Sequence, residues 1–455
     1  MSVCCVKVSA LMETHFTDVH NYTPDDISVL SSHIDFPRNQ IVSSTYSVPV
    51  SGWVLSPRFS ADPVTHVRLV SGARTVKFKV PLHGAREDAA CQFPTADAGR
   101  SAAFLIYLDT LDLDETFCVQ VQAMTRSERA IPIAGITGRR VKVGAASTGR
   151  PAPLMVTTLG RTGGTRVFEL LSRHPDVAGF PAFEIETRVV GYWMDVLRSL
   201  SRANGTLQQI SPSELVAGRT DWFIGPKPAG SPETYVSDRT IFRHLAGPSV
   251  DLTRDFCREQ ARGVMRHCLQ SVEKPGATFY VEKIAPGPAV ELALREFPGS
   301  REVILVRDLR DMYCSIVAFD AKRGTDGFGR SRCENDEHFI AALREGAEEM
   351  TFAWTQRRRR GAVLVKYEDV VLKPTETLTR VFTELRLDAS DRAVQIALDE
   401  TNTNAARRAG HLTAKDPVTS IGRWKHDLPV KLHDAFRAHL DDYNVAMGYE
   451  SISVG

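Results

Sequence analysis

The sequence predicts two architectures in tandem: a small all-β sandwich, then an α/β domain on a P-loop-like parallel sheet. Three observations predict this. Residues from about 45 to 145 carry short β-type runs separated by turn signals. From Leu154 onward, strand-like apolar runs alternate with stretches of helical periodicity. A basic stretch rich in Gly, Ser and Pro, Thr137–Pro153, lies between and reads as a linker. The expected boundaries are 1–44 without a reading, 45–148 for the sandwich and 149–455 for the α/β domain.

In the first domain, Val67 and Leu69 alternate with polar residues, as do Val76, Phe78 and Val80, and Phe117, Val119 and Val121. Ala103 to Leu108 is a continuous apolar run. Turns are signalled at Ser56-Pro57, Ser71-Gly72 and Ala98-Gly99. In the second domain the strand candidates are Leu154–Leu159, Thr278–Glu282, Glu302–Val306 and Ala362–Val365, with Val167, Leu170 and Leu171 at helical spacing after the first. Residues 205–260 are dotted with Pro and Gly and read as an irregular insertion covering the acceptor.

Composition narrows the function classes. The 455 residues are 43% hydrophobic and 24% charged, with a net charge of +1. That is an ordinary globular balance, with no overall field to draw the chain to nucleic acid or to a membrane surface. Any anionic ligand must be held by local basic residues. Eight cysteines are scattered without a CxxC pair, so no metal is expected. Unpaired cysteines fit a reducing compartment, and the first residues make a poor signal peptide. No run approaches the ~18 apolar residues of a membrane span. The expected location is cytoplasmic.

Two constellations carry chemistry. Strand LMVTTL runs into Gly160-Arg161-Thr162-Gly163-Gly164-Thr165 and then a helix. Glycines admit an anion close to the backbone, and a helix N-terminus turns N–H groups and positive dipole toward it. Taken alone, the loop reads equally well as a plain glycine turn. It lacks the Lys that a nucleoside-triphosphate loop places before its Ser/Thr, since Gly164 precedes Thr165. The second constellation is strand EVILV ending in Arg307, with Ser315 one helical stretch later. A guanidinium fork and a hydroxyl at that spacing suit one phosphate, and a salt-bridged helix start is the bland alternative.

LGRTGGTRVFELLSRHPDV resembles the 5'-phosphosulfate loop of sulfotransferases that use 3'-phosphoadenosine-5'-phosphosulfate (PAPS). It departs from that pattern with Thr162 for the usual Ser and Gly164 for the first Thr. Arg307 and Ser315 match the family's 3'-phosphate site. Lys283, in Tyr280-Val-Glu-Lys283, matches its active-site lysine. Ser420-Ile-Gly422-Arg423-Trp424 resembles the loop that closes over the nucleotide, and VKYED with Lys373-Pro374 resembles a structural stretch common in the family. The resemblance covers roughly 150–450. It implies a sulfotransferase domain that moves a sulfuryl group from PAPS to an acceptor hydroxyl and releases the desulfated nucleotide PAP.

In members acting on protein tyrosine, a Glu-Thr-Arg motif carries the proposed base. Here it corresponds to Glu186-Thr187-Arg188, so Glu186 is expected as base, with Arg188 beside the acceptor. His174 and His411 are the alternatives. Arg161 and Lys283 would stabilise developing charge. The accessory β domain points to a saccharide or glycoconjugate acceptor, and Glu-Thr-Arg to a phenol or tyrosine. An ATP-dependent phosphotransferase and an inactive binding protein are the rival classes. The run Arg357–Arg360 reads as a solvated helix end, and Asp109, Asp112 and Asp114 as no metal motif.

Overall fold

The computed structural model describes residues 12–43, 46–72, 74–93, 95–96, 102–142, 150–180, 187–201, 247–324, 328–399 and 416–451. The chain divides into two compact units. One holds Met1–Ala146 with Asp195–Cys257, the other Ser147–Met194 with Arg258–Gly455.

The first unit is built on two antiparallel sheets. Six strands lie in the order β3-β1-β9-β8-β5-β6, and three in the order β2-β4-β7. The strands are β1 (Met12–Asn21), β2 (Ser31–Phe36), β3 (Val42–Ser43), β4 (Ser47–Leu55), β5 (Val64–Ser71), β6 (Arg74–Pro81), β7 (Ala103–Asp109), β8 (Thr116–Thr125) and β9 (Ala130–Lys142). A short helix, α1 (Glu87–Ala90), precedes β7. One apolar cluster unites Val48, Val50, Phe104, Ile106 and Leu108 of the smaller sheet with Phe16, Val67, Leu69, Phe117 and Val119 of the larger. The Ala103–Leu108 run buries only alternate residues, Phe104, Ile106 and Leu108, because a strand presents successive side chains to opposite faces. Residues 12–43, unread in the sequence, supply three of these strands.

The linker expectation is corrected at its first half. Thr137–Lys142 is the end of β9, paired with both β1 and β8. Gly138 is required there because a Cβ would meet the Phe117 ring at 2.5 Å and the His15 carbonyl at 2.8 Å. A glycine that admits a close neighbour inside a sheet looks in sequence like a loop glycine.

The second unit is a five-stranded parallel sheet in the order β11-β12-β10-β13-β14. Its strands are β10 (Ala152–Thr158), β11 (Val177–Ala178), β12 (Phe279–Ile284), β13 (Arg301–Val306) and β14 (Val363–Lys366). Every residue of β10 is buried, as a central parallel strand covered on both faces requires. The helices that matter below are α2 (Gly164–Arg173), α3 (Val189–Leu200), which belongs to this unit as far as Met194, and α4 (Pro248–Ser271), which belongs to it from Arg258. They are followed by α5 (Pro288–Glu296), α6 (Leu309–Arg323), α7 (Asp336–Arg357), α8 (Tyr367–Leu372), α9 (Pro374–Glu384), α10 (Asp391–Leu398), α11 (Trp424–Asp427) and α12 (His433–Ala446). Helix α2 buries Val167, Leu170 and Leu171, the spacing the sequence shows. Two expectations change here. Pro248 to residue 260 is not irregular but part of the 24-residue α4, with proline at the helix start where its missing N–H costs nothing. Arg357 is not solvated: it is buried, 3.2 Å from Glu291 and 3.1 Å from Glu302.

From β10 the chain steps out to β11 on one side, and β12 to β13 crosses to the other. Beside β10 the strand order therefore reverses, and a ligand crevice is expected there, at the carboxyl ends of the strands.

Candidate functional site

Three strands deliver the sequence-nominated residues to that edge, and a fourth delivers Tyr367. β10 leads into the glycine loop, β12 ends in Lys283-Ile284, β13 is followed by Arg307, and β14 by Tyr367. The loop is fixed from within. Thr158 and Thr162 hydroxyls hydrogen-bond each other, Thr158 also bonds the Leu305 carbonyl at 2.9 Å, and Thr162 donates to the Leu159 carbonyl at 2.7 Å. The Thr162 hydroxyl thus shapes the turn. Gly163, with φ of 87°, caps α2, and a Cβ there would overlap the Tyr367 ring. This capping residue, a glycine, offers no side chain to the helix end. Thr165 is exposed in the first turn. Gly164 lies beneath the Lys283 stem: a Cβ on it would sit 2.5 Å from Lys283 Cδ.

Arg161 adopts a left-handed φ of 63°, a cost a non-glycine residue bears only where the surroundings hold it. Its Nε donates to Ser315 Oγ at 3.3 Å, and its guanidinium lies 4.3 Å from the centre of the Phe319 ring. Burial, with Arg307 close by, pushes its pKa down to about 10. Arg307 is 3% exposed. Its amino groups donate to the carbonyls of Arg161 (3.1 Å) and Ser420 (2.6 Å), its face lies on Tyr367 at 4.6 Å, and its buried Nε has no hydrogen-bond partner. The Asp311 and Glu368 carboxylates act on this buried guanidinium through space, but its hydrogen bonds go to carbonyls and its Nε is left for a further acceptor, where an anion would bind favourably.

The C-terminal loop closes on the same residues. Asp311 accepts the Gly422 N–H at 2.6 Å and the Trp424 N–H at 2.9 Å, and burial pushes its carboxyl upward. Trp424 is stacked by Arg310 at 4.0 Å. Arg423 is bound through two nitrogens to Asp427. Ser420 Oγ hydrogen-bonds the Tyr367 hydroxyl at 3.3 Å. Arg161, Thr162, Gly163, Gly164, Lys283, Arg307, Ser315, Gly422 and Trp424, dispersed in sequence, are thereby joined by direct contacts or by one shared neighbour.

Glu186 and His411 lie outside the described residues. His174 is buried: its Nδ1 accepts the Asp176 N–H, its Nε2 donates to the Asp388 carbonyl, and its ring packs edge-on against Phe382. Both nitrogens are engaged at the C-terminal end of α2. Arg188 stands immediately before α3 and is exposed. Three residues of the site were not nominated from sequence. Tyr367 forms the wall against Gly163 and the platform for Arg307. Asp311 ties down the C-terminal loop. Glu282, wholly buried, accepts the N–H groups of Val190 (2.7 Å) and Gly191 (2.9 Å) at the start of α3. A glutamate inside the apolar strand FYVEKI was the available signal for the last. Among the described residues no cluster of His, Cys, Asp and Glu is arranged to hold a metal.

The sulfotransferase family model matches residues 153–391. No protein of curated function matches the chain in sequence. Solved structures similar to it include the sulfotransferase domain from the curacin biosynthetic pathway, 14% identical over 67% of this chain and 99% of that one, with a TM-score of 0.39. Mouse sulfotransferase SULT7A1 complexed with PAP is 11% identical over 66% and 88%, with a TM-score of 0.33. Retinol dehydratase in complex with androsterone and inactive cofactor PAP is 15% identical over 72% and 90%, with a TM-score of 0.32.

Proposed function

Since the chain belongs to the sulfotransferase family, we propose that it transfers a sulfuryl group from PAPS to an acceptor hydroxyl, of a saccharide or glycoconjugate. The observation that carries the donor reading is Arg307, a buried cation without an anionic hydrogen-bond partner, bonded to the backbone of the glycine loop and of the C-terminal loop. An anion with two separated phosphates fits these surroundings. Arg307 and Ser315 would hold the 3'-phosphate, and Arg161, the loop backbone and the glycine-led start of α2 the 5'-side. Gly422, Arg423 and Trp424 would cover the nucleotide.

PAPS supplies the activated sulfuryl group: its S–O bond to the 5'-phosphate breaks as the acceptor oxygen bonds to sulfur, and PAP leaves. The acceptor proton goes to Glu186, a step worth ~10²–10⁴-fold. Lys283 and Arg161 offset the charge that develops on the sulfuryl and bridging oxygens, and no metal is needed. Binding energy from the remote 3'-phosphate orients the donor. A phenolic acceptor is the second reading, favoured by Glu186-Thr187-Arg188. The first unit is read as an accessory β-sandwich. A reducing, cytoplasmic location is read from the cysteines, of which Cys91, Cys118, Cys257, Cys268, Cys314 and Cys333 are free thiols. Among the described residues no helix is long and apolar enough to cross a membrane.

The test is calorimetric titration with PAP, AMP and ATP in the absence of magnesium. Micromolar PAP binding with AMP much weaker is expected. A folded protein that ignores PAP overturns the reading and returns the ATP-dependent phosphotransferase.

A further inference from the structure

Glu282 and Lys283, consecutive residues near the end of β12, face opposite sides of the sheet, as successive strand residues must. On one side, Phe279 and Val281 join the apolar cluster containing Val167 and Leu170 of α2. The Lys283 stem lies on Gly164, also on that side. On the other side, a Cβ on Gly191 of α3 would meet Ile284 Cδ1 at 2.7 Å, Glu282 Oε1 at 3.1 Å and Arg188 Nη2 at 3.2 Å. The Arg188 guanidinium therefore folds back over the first turn of α3 toward the Glu282 carboxylate. The Arg188 carbonyl accepts the Tyr192 N–H at 3.3 Å, which makes Arg188 the residue that opens the helix.

A helix start is ordinarily capped from its own chain by Ser, Thr, Asp or Asn, with little desolvation. Here the cap comes from a neighbouring strand and places a carboxylate in the interior, which is costly. Burial pushes that carboxyl up to about 7, opposed by the N–H groups of Gly191, Val190 and Val189 and by Arg188. An own-chain cap would hold the helix as well. What this one adds is a rigid link from Arg188, on one side of β12, to Lys283, the next residue, on the other.

We propose that Glu282 is a positioning residue for the acceptor side of the site: it holds Arg188 and the start of α3 in fixed relation to Lys283. The inference rests on the sulfotransferase reading and deepens it, since it assigns Arg188 and Glu282 to acceptor geometry and leaves donor binding to the residues around Arg307.

The experiment compares wild type, Glu282→Gln, Glu282→Asp, Arg188→Ala and the double variant Glu282→Gln/Arg188→Ala. PAP affinity is measured by calorimetry. Transfer from PAPS is measured with 4-nitrophenol as acceptor and, where that phenol is not turned over, with water as acceptor through PAP release. The expected result is PAP affinity within twofold throughout. The acceptor-side rate constant, kcat/KM for 4-nitrophenol or the PAP-release rate, falls at least tenfold in Glu282→Gln and in Arg188→Ala. The double variant is no slower than the slower single, and Glu282→Asp recovers part of the loss. Effects that multiply in the double variant overturn the proposal, as does PAP affinity falling in step with rate, or normal turnover in Glu282→Gln. Arg188→Ala changes an exposed side chain, so it reports even if Glu282→Gln folds poorly, and normal turnover in it also counts against the proposal. A wild type that binds PAP yet consumes no PAPS with either acceptor overturns it too. A wild type that binds no PAP overturns the donor reading first, and this proposal with it.

Discussion

Two helix starts in the second unit, both near the carboxyl ends of the same sheet, are treated in opposite ways. At α3, Glu282 fills the N-terminus with a buried carboxylate bonded to Val190 and Gly191. At α2, the capping residue is a left-handed glycine without a side chain, and the neighbours are Arg161, Arg307 and Lys283. Both ends present first-turn backbone N–H groups and the same positive dipole. The difference lies in what surrounds them. One end has its anion built in, and the other is ringed by cations of which Arg307 has none within hydrogen-bonding distance. A helix N-terminus thus identifies no ligand. The buried cation beside it, whose hydrogen bonds go to carbonyls, does.

The largest effect expected from breaking this contrast is at Arg307. Replacing it with Ala removes two or more charge-assisted bonds to phosphate, each worth about 1.5–3 kcal/mol. PAP affinity should fall about 1000-fold, or about 4 kcal/mol at 1.36 kcal/mol per tenfold. Calorimetry with PAP reads it directly. A loss below tenfold would mean that this cation is satisfied within the protein after all.

The next effect concerns the filled end. Glu282 is raised from 4.5 to about 7 in the folded chain. A carboxyl raised on folding contributes stability that is full below its unfolded pKa and is lost as pH rises through the folded value. The stability of wild type relative to Glu282→Gln should therefore decline between about pH 4.5 and 7, by up to about 3 kcal/mol, and be level above that. The groups facing Glu282 are Arg188 before α3, Cys268 on α4 and Tyr280 on its own strand. Burial pushes the Cys268 thiol and the Tyr280 hydroxyl upward, away from that window. Denaturant midpoints of both proteins across pH 4–8 supply the comparison. A constant difference would show that the α3 cap is an ordinary ionised carboxylate.

The two ends also differ in how far the sequence disclosed them. The α2 end was legible because its signal is local: strand, glycine loop and helix fall within one short stretch, and Arg307 with Ser315 repeats that economy at β13. The parallel sheet was legible for the same reason, since runs such as EVILV are buried on both faces. The α3 end was not. Val190 and Glu282 are far apart in the chain, and their pairing depends on which strands adjoin β10, which no periodicity records. Tyr367 was read as part of a structural stretch because its value comes from a glycine, Gly163, that it touches only after folding. The tail of β9 looked like linker because Gly138 serves a close ring contact rather than a turn. Arg357 looked solvated because its partners, Glu291 and Glu302, come from α5 and β13.

The smallest expected effect sharpens the contrast at the empty end without touching a charge. Gly163 holds a φ of 87°, and a Cβ there would overlap the Tyr367 ring that also carries Arg307. Alanine in that left-handed region costs about 1–2 kcal/mol even where space allows. In Gly163→Ala the start of α2 must shift away from Tyr367, and the loop carbonyl that Arg307 holds at residue 161 must move with it. PAP affinity should fall about tenfold and the melting temperature by a few degrees. The same substitution at Gly191, on the filled end, meets Ile284, Glu282 and Arg188 side chains rather than a fixed ring, and should leave PAP affinity within twofold. Equal losses of PAP affinity at the two glycines would mean that both helix starts serve the donor, and the distinction between them would fail.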